Sequence, residues 1–132
     1  SYSNFGAVRK GSPRKVQDAV RILHNDHPEL IVDGEIQANY AFDKNLREKK
    51  FPFTKLNGHD VNTIVFPNLA AGNIAYKMMS ELGDADIIGP ILMGLKKPIQ
   101  VLQMESTVRQ IVDMIAITAV DAQIPGKENI EL

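Results

Sequence analysis

One junction in the middle of the chain restricts the possible folds more than any other stretch. The run Val61–Phe66 is almost continuously apolar, and Pro67 and Asn68 end it just before a helical pattern that starts at Leu69. Such a run is typical of a strand that other elements cover on both faces. A strand that leads directly into a helix is the first half of a βαβ unit, so the junction favours an α/β fold.

Apolar periodicity and capping residues predict four helices, and the one after this junction spans Leu69–Leu82 with Gly83 as its C-cap. The others are a helix over 12–25 capped by Ser12, a short helix over 44–50 capped by Asp43, and a last helix over 107–122 capped by Ser106. The last helix is apolar nearly all round, which is typical of a helix buried on more than one side. Two coverings fit this pattern equally: a second subunit or missing domain, or the core of this domain itself.

Strands are predicted at four places, namely 30–32, 61–66, 87–92 and 99–103. Because strands and helices alternate along the chain, they indicate βαβ units and a mostly parallel sheet. The expected fold is α/β, a three-layer sandwich, and 132 residues suit one domain. The first residue is serine rather than methionine, and SYSNF has the character of a strand already under way, so we expect residues 1–132 to be a fragment of a longer chain.

Composition excludes several classes of function. A net charge of −1 gives no field that favours nucleic acid or an acidic membrane. The absence of cysteine excludes disulfides, thiolate metal sites and thiol-based catalysis. The N-terminal sequence has no apolar signal region, and no apolar run reaches the roughly 18 residues of a membrane span. We therefore expect a cytoplasmic protein.

Two loops have the composition of anion sites. Before Leu69 a strand end directly precedes a helix N-terminus, where free backbone N–H groups can bind an anion. Gly72 is an isolated glycine, however, and the pattern by itself favours an ordinary turn with small residues. Near the N-terminus a glycine-containing loop with Arg9 and Lys10 leads into the first helix. An anion-binding loop and a solvated basic turn fit that second pattern equally.

The histidines and one carboxylate pair give weaker signals. His24 and His27 lie near a helix end, but Pro28 follows and no third ligand is evident, so a surface pair is favoured over a metal site. Asp33 and Glu35 are conceivable as a general acid and base. No metal site is therefore predicted.

Three blocks in register carry a resemblance to a known family, namely FPNLAAGNIAYK, IGPILMGLKKP and IVDMIAITAVDAQ. They resemble the C-terminal part of the phosphotransacetylases, and the resemblance covers nearly the whole chain. It implies a C-terminal portion of a phosphotransacetylase-like domain, with a ligand cleft at the two anion loops. For Lys96 and Lys97, a ligand-binding role and a solvated turn before Pro98 fit about equally well. The implied ligand-binding positions are Ser3, Asn4, Gly6, Asn68, Gly72, Asn73, Lys77, Lys96, Lys97 and Gln103.

The positions that carry the chemistry in phosphotransacetylases are altered in this chain. The resemblance implies a serine and an arginine that bind the acyl phosphate or thioester, and an aspartate that accepts the thiol proton of coenzyme A. Aligned on Ile111-Val112, these positions hold Gln103, Met104 and Gln110. Glutamine has no titrating group and methionine cannot neutralise a phosphate, so we expect no catalytic residue here and a loss of phosphate–acetyl exchange.

Further details resemble the phosphotransacetylase-like C-terminal region of bacterial NADP-dependent malic enzymes, namely SYSNFG, VDGEIQAN, FPFTKLNG, VLQ and AVDAQ. This implies a regulatory region that forms homo-oligomers and binds acetyl-CoA as an effector without transferring the acetyl group. The parent would be an oxidoreductase that converts malate to pyruvate, with NADP and a divalent metal bound outside this chain and no cofactor within it. The alternatives are an active phosphate acetyltransferase, with its base supplied by another segment or subunit, and a purely structural dimerisation piece.

Overall fold

The computed structural model describes residues 1–83 and 86–124. The chain forms two compact units, Ser1–Leu82 and a second unit from Gly83 onward. Four helices of the described residues lie in the first unit and one lies in the second. In chain order they are α1 (Gly11–Asp26), α2 (Ala38–Phe42), α3 (Lys44–Lys50), α4 (Leu69–Leu82) and α5 (Val108–Asp121).

Helix α1 confirms the helix predicted over 12–25, but it begins one residue earlier. Gly11 has φ = 65°, a left-handed conformation that glycine adopts without a clash, so the chain enters the helix there. The N-cap is Lys10, whose side chain makes no capping hydrogen bond, and the prediction that Ser12 is the cap is wrong. Pro13 and Val20 are buried and anchor α1 in the first unit.

Helix α3 has the bounds and the cap that the sequence predicts. The Asp43 side chain accepts a hydrogen bond from the Leu46 N–H at 2.9 Å, which satisfies one of the free donors of the first turn. The short helix α2, which the sequence pattern does not predict, precedes this cap directly. Its Ala41 is buried, so α2 contributes to the small core of the first unit together with Leu56.

Arg47 is the most deeply placed charged side chain of α3, with an exposed fraction of 1%. Its guanidinium donates to Ala41 O at 2.6 Å, to Leu56 O at 3.1 Å and to His59 O at 2.7 Å. A buried arginine needs acceptors for its donors, and here backbone carbonyls supply them for Nη1 and Nη2, whereas Nε has no partner. Arg47 therefore holds the turn-rich segment 51–60 against α2 and α3.

Four aromatic rings connect the N-terminal segment to the segment after α3. The Phe5 ring lies 4.9 Å from the Phe51 ring and 5.1 Å from the Phe53 ring, and the Tyr40 ring lies 5.0 Å from Phe51, all between centroids. Tilted and edge-on arrangements at these distances are favourable for aromatic pairs. Through Phe5, the cluster packs against one side of the N-terminal segment, and Glu35 lies on the other side.

The α4 bounds agree with the prediction over Leu69–Leu82, whereas α5 differs at its start. Thr107, rather than the predicted Ser106, is the N-cap of α5 and forms a capping box with Gln110. Met114 is the buried residue of α5, while Val108 and Ile115 are 78% and 63% exposed. Most of the apolar surface of α5 is therefore uncovered within the described residues, and both coverings stay predictions.

The expected α/β three-layer sandwich with a mostly parallel sheet is wrong for the described residues, which contain helices and no strand. The runs 30–32, 61–66, 87–92 and 99–103 form no strand. An apolar run indicates a tendency to be buried, but a strand also requires a neighbour that pairs with its backbone groups. Val65 and Val101 are 81% and 64% exposed, so these runs lack the covering that the prediction assumed. No helix of the described residues is long and apolar enough to cross a membrane.

Candidate ligand site

The N-terminal segment lies against residues 35–37 through hydrogen bonds from Gln37. The Gln37 backbone N–H donates to Asn4 Oδ1 at 2.7 Å, and its side-chain amide donates to Tyr2 O at 3.0 Å. These bonds hold both chain neighbours of Ser3. Asn4, one of the predicted ligand positions, thus uses its side-chain oxygen to join the segment to the residue just before α2.

Ser3 and Gly6, two further predicted ligand positions, both donate to the Glu35 carboxylate. The Ser3 hydroxyl and the Gly6 N–H each lie 2.9 Å from Glu35 Oε1. Ser3 and Glu35 are 3% and 1% exposed. In this arrangement a side-chain carboxylate takes the donors that an external anion would use. Direct ligand binding by Ser3 and Gly6 stays a prediction.

Asp33 and Glu35 serve different segments of the first unit. Asp33 Oδ2 accepts from the Thr54 hydroxyl at 2.6 Å and from the Lys55 N–H at 2.9 Å, and Asp33 Oδ1 accepts from the Gly34 N–H at 2.9 Å. The two carboxylates are thus used to connect the 33–35 segment to the turn after α3 and to the N-terminal loop. This geometry gives no support to the idea that they act as a general acid and base.

The start of α4 is capped by one predicted residue and approached by a cation. Asn68 Oδ1 accepts from the Ala71 N–H at 2.9 Å, so Asn68 acts as a helix cap. The Lys15 ammonium donates to Pro67 O at 3.1 Å, which places a positive charge beside the residues that lead into α4. Because no acidic residue lies in the first turn, the helix dipole and Lys15 both favour an anion here.

The other predicted positions on α4 lie within its first three turns. Asn73 and Lys77 are exposed, and the Lys77 ammonium lies 5.5 Å from the centroid of the Tyr76 ring. A Cβ added at Gly72 would come within 3.6 Å of Phe66, which is ordinary van der Waals contact. Space alone therefore does not require glycine at this position.

The remaining predicted positions lie in the second unit. Lys96, Lys97 and Gln103 are exposed, and Met104 is 99% exposed. The Gln110 side chain accepts from the Thr107 N–H at 2.9 Å, so the residue at the position of the implied proton acceptor helps to cap α5. The expectation that these positions carry no acid–base chemistry stays a prediction.

Arg109, which directly precedes Gln110, forms an ion pair. Arg109 Nη2 donates to Asp86 Oδ2 at 2.6 Å, and both side chains are more than 70% exposed. An ion pair at this exposure is screened by water and contributes little to stability. It occupies the guanidinium within the second unit.

The two histidines near the end of α1 have separate partners. His24 Nε2 lies 2.7 Å from Val32 O, and His27 Nδ1 lies 3.4 Å from Glu29 Oε1. The described residues contain no group of three or more histidine or acidic side chains arranged to hold a metal ion. The arrangement therefore gives no ligand cluster around either histidine.

The first turns of α1 carry an excess of positive charge. Arg9, Lys10, Arg14 and Lys15 surround an N-terminus that has no side-chain cap and no acidic residue in its first turn. Arg14 Nε donates to Asp18 at 2.8 Å, and this hydrogen bond lowers the pKa of Asp18 and raises that of Arg14. Lys15 points instead to Pro67, in a segment far along the chain.

Sequence reasoning missed Lys15 as a candidate and did not find the part that Glu35 plays in holding the N-terminal loop. Both depend on contacts between distant residues, since Lys15 and Pro67 are 52 residues apart and Glu35 and Ser3 are 32 apart. Local patterns carry no information about such pairs. The sequence held one signal for Lys15. It lies in the first turn of the predicted helix, outside the apolar stripe.

Comparison with known proteins decides the family. Residues 1–119 match the family described as "Phosphate acetyl/butaryl transferase". The chain belongs to this family. A phosphate acetyltransferase of Bacillus subtilis (strain 168) is 40% identical over 122 residues, which cover 92% of this chain and 38% of that protein. One of Treponema pallidum (strain Nichols) is 43% identical over 124 residues, covering 92% and 37%. One of Staphylococcus aureus (strain Mu50) is 38% identical over 126 residues, covering 92% and 38%.

These matches support one part of the resemblance and correct another. Membership of the phosphate acetyl/butyryl transferase family is confirmed, and the chain spans 37–38% of the length of these relatives. The expectation of an oxidoreductase with a malic enzyme parent is corrected, because the matching relatives are named phosphate acetyltransferase, which is a transferase. NADP and a divalent metal belonged to that expectation, and nothing in the described residues bears on them.

Proposed function

We propose that the protein to which this chain belongs exchanges an acetyl group between phosphate and coenzyme A. The match of residues 1–119 to the acyltransferase family carries this proposal, together with the shared name of its relatives. The chain would contribute part of the ligand cleft. The substrates, and the transfer itself, belong to the proposal because the chain spans well under half of each relative.

The reaction places two demands on the protein. The sulfur of coenzyme A attacks the carbonyl carbon of acetyl phosphate, the new C–S bond forms, and the C–O bond to phosphorus breaks as phosphate leaves. The thiol proton passes to a base or to water. Cationic side chains and helix N-termini stabilise the negative charge on the leaving phosphate, and a base near the sulfur raises the fraction of thiolate.

The first unit supplies groups that fit the anion demand. Lys15 lies beside the residues that lead into α4, and the first turn of α4 holds no acidic side chain. We place the phosphate of the ligand at this helix start, with Asn68 as its cap and Asn73 and Lys77 on the following turns. Lys96, Lys97 and Gln103 of the second unit stay predicted ligand positions.

A direct assay tests the proposal on the full-length protein. With acetyl phosphate and coenzyme A as substrates, we expect thioester formation that saturates in both. Replacing Lys15 by alanine removes a charge-assisted contact, so the KM for acetyl phosphate should rise on the order of tenfold. The Lys49→Ala variant, which removes an exposed lysine of α3, is the matched control and should leave the KM unchanged. Wild-type protein without exchange activity would contradict the proposal.

A second candidate function is the binding of acetyl-CoA without transfer. It is favoured by one observation, namely that Gln103, Met104 and Gln110 occupy the positions that the family resemblance gives to reactive side chains, and that Gln110 is a capping residue. An active enzyme would then need its base from another segment or subunit. If the second candidate is correct, calorimetry should detect acetyl-CoA binding to wild-type protein that performs no exchange.

A gain-of-function variant separates the two candidates further. The triple substitution Gln103→Ser, Met104→Arg and Gln110→Asp restores the side-chain types that the resemblance implies. If only these side chains are lacking, the triple variant should gain exchange activity over an inactive wild type. The Gln123→Asp variant adds a negative charge beyond the end of α5 and serves as the control for the charge that Gln110→Asp introduces. An active wild type that the triple variant does not improve would exclude the second candidate.

The assembly and location of the protein remain part of the proposal. The exposed apolar residues of α5 support homo-oligomer formation, with Val108 and Ile115 as candidates for the covered surface. Sedimentation of the full-length protein tests this, and a monomer across the micromolar range would contradict it. A cytoplasmic location and the lack of nucleic-acid or membrane partners are expected from composition.

A further inference from the structure

The Glu35 carboxylate is buried beneath the N-terminal loop, which we define as Ser3–Val8. Its Oε1 accepts from the Ser3 hydroxyl and from the Gly6 N–H, both at 2.9 Å. The Glu35 carbonyl oxygen also accepts from the Phe5 N–H at 2.8 Å. One residue thus receives three donors from the N-terminal loop, and it is 1% exposed.

Two further backbone donors of the N-terminal loop are used within the loop. The Ala7 N–H donates to Asn4 O at 3.1 Å, and the Val8 N–H donates to Ser3 Oγ at 3.0 Å. Ser3 therefore works as a relay, since its hydroxyl donates to Glu35 while its oxygen accepts from Val8. Loss of the Glu35 carboxylate would leave the Ser3 hydroxyl and the Gly6 N–H buried without an acceptor, which is costly.

The conformation of the N-terminal loop is one that the chain would not adopt unaided. Phe5 has φ = 45° and Gly6 has φ = 85°, so two consecutive residues are left-handed. A side chain such as that of Phe5 clashes with its own backbone in this region, and such a conformation persists only when its surroundings impose it. The bonds to Glu35 on one side and the contacts of Phe5 with Phe51 and Phe53 on the other are these surroundings.

The carboxylate is not fully used by the fold. Glu35 Oε2 is buried and has no hydrogen-bond partner, whereas Asp33, two residues earlier, uses both of its oxygens. A buried acceptor without a partner destabilises the folded state. Stability alone therefore does not favour glutamate at position 35. A requirement for the exact shape of the N-terminal loop explains why an acceptor lies there.

We propose that Glu35 is a positioning residue for ligand binding, because it holds the N-terminal loop in the shape that presents Asn4 and the basic start of α1 to the ligand. Glu35 itself does not touch the ligand. The inference rests on the proposed function and on the expectation, drawn from the family resemblance, that the ligand cleft includes this loop. It also reassigns Ser3 and Gly6 as residues that shape the loop through Glu35.

The test compares three variants of the full-length protein, with acetyl-CoA as the probe in calorimetry. Glu35→Ala removes the oxygen that accepts from both the Ser3 hydroxyl and the Gly6 N–H, and it should weaken binding of acetyl-CoA at least tenfold. Glu35→Gln keeps an oxygen where Oε1 lies and should stay within about threefold of wild type, which is the range that one retained hydrogen bond allows. Thr54→Val is the control, since it removes a buried hydrogen bond to Asp33 without touching the loop, and its affinity should equal that of wild type.

A second measurement does not depend on any ligand. Hydrogen exchange of the peptide that contains Gly6 and Val8 should accelerate in Glu35→Ala but not in Glu35→Gln or Thr54→Val. Accelerated exchange with unchanged affinity for acetyl-CoA would overturn the positioning role, and so would equal losses of affinity in Glu35→Ala and Thr54→Val. If wild-type protein binds no acetyl-CoA, the proposed function fails and the inference falls with it, whereas wild-type binding that survives Glu35→Ala overturns the inference alone.

Discussion

Residues 1–60 and residues 86–124 differ in the kind of side chain that they bury. In the first region the buried side chains include Ser3, Glu35, Arg47 and Thr54, all polar, and each makes hydrogen bonds. In the second region Met114 is the one buried side chain among the described residues, and most apolar side chains of α5 are exposed. The difference shows that polar groups can organise a segment from within, while apolar groups need a surface that covers them.

The same contrast separates what each region does in the proposed function. The hydrogen-bonded first region fixes the N-terminal loop, and the Lys15 contact reaches the start of α4, so its candidate groups have defined positions. The candidate groups of the second region, Lys96, Lys97 and Gln103, are exposed. The candidate groups of the first region are therefore held by more hydrogen bonds than those of the second.

The largest effect is expected in the first region, from removal of its buried guanidinium. Arg47→Met leaves three carbonyl oxygens without their donor, and unsatisfied buried groups of this kind cost about 1–3 kcal/mol each. With partial relaxation, we expect the local free energy of unfolding to fall by about 3–5 kcal/mol. Hydrogen exchange of peptides from segment 51–60 in the full-length protein measures this. The exposed Lys49→Met on the same helix should change it by less than about 0.5 kcal/mol.

A pair of neighbouring substitutions sharpens the account of the second region. Met114→Ala should cost about 2–4 kcal/mol, because it leaves a cavity around a residue that is 4% exposed. Ile115→Ala, at a residue 63% exposed in this chain, should cost a similar amount if the proposed homo-oligomer covers it, and less than about 0.5 kcal/mol if it is in water. Chemical denaturation measures both. An equal loss for the two variants would show that a second subunit or another domain covers α5.

The cap of α5 is expected to have a smaller effect. Thr107→Ala removes the hydroxyl that accepts from the Gln110 N–H at 3.2 Å, and loss of such a cap costs about 1 kcal/mol. Gln110→Ala removes the reciprocal half of the capping box and should cost less. Amide exchange in the first turn of α5 measures both. No change in Thr107→Ala would contradict the capping geometry.

The smallest expected effect is an acid dependence in α1. The hydrogen bond from Arg14 holds the pKa of Asp18 below its ordinary value, so the folded state binds this proton less tightly than the unfolded state. The stabilisation is therefore present above the pKa of the unfolded chain and is lost as the pH falls through the folded pKa. Asp18→Asn should remove this part of the acid sensitivity below roughly pH 4. The comparison of denaturation midpoints with pH for the two proteins tests it, and identical curves would contradict the assignment.

The helices could be predicted from the sequence to a greater extent than the rest. The bounds of α3 and α4 and the Asp43 cap follow from local patterns, because capping and periodicity act within a few residues. The strands could not be predicted, since the apolar run at 61–66 gives no information about a pairing partner. α2 was missed because a helix of five residues presents too little of a helical period.

The candidate site divides in the same way. Asn68 at the start of α4 could be found from a strand-to-helix pattern, and the structure places it as a cap. The bonds of Glu35 to Ser3 and of Lys15 to Pro67 could not be found, because they join residues far apart in the sequence. The family could be identified from the sequence, whereas the more specific malic enzyme parent was an overextension of the same resemblance.

Acetyl-CoA formation from acetyl phosphate and coenzyme A by the full-length protein is the most direct test of the proposed function. The account predicts steady turnover by wild-type protein. The KM for acetyl phosphate should rise in Lys15→Ala and stay unchanged in Lys49→Ala. Acetyl-CoA binding by wild-type protein with no detectable turnover would contradict it.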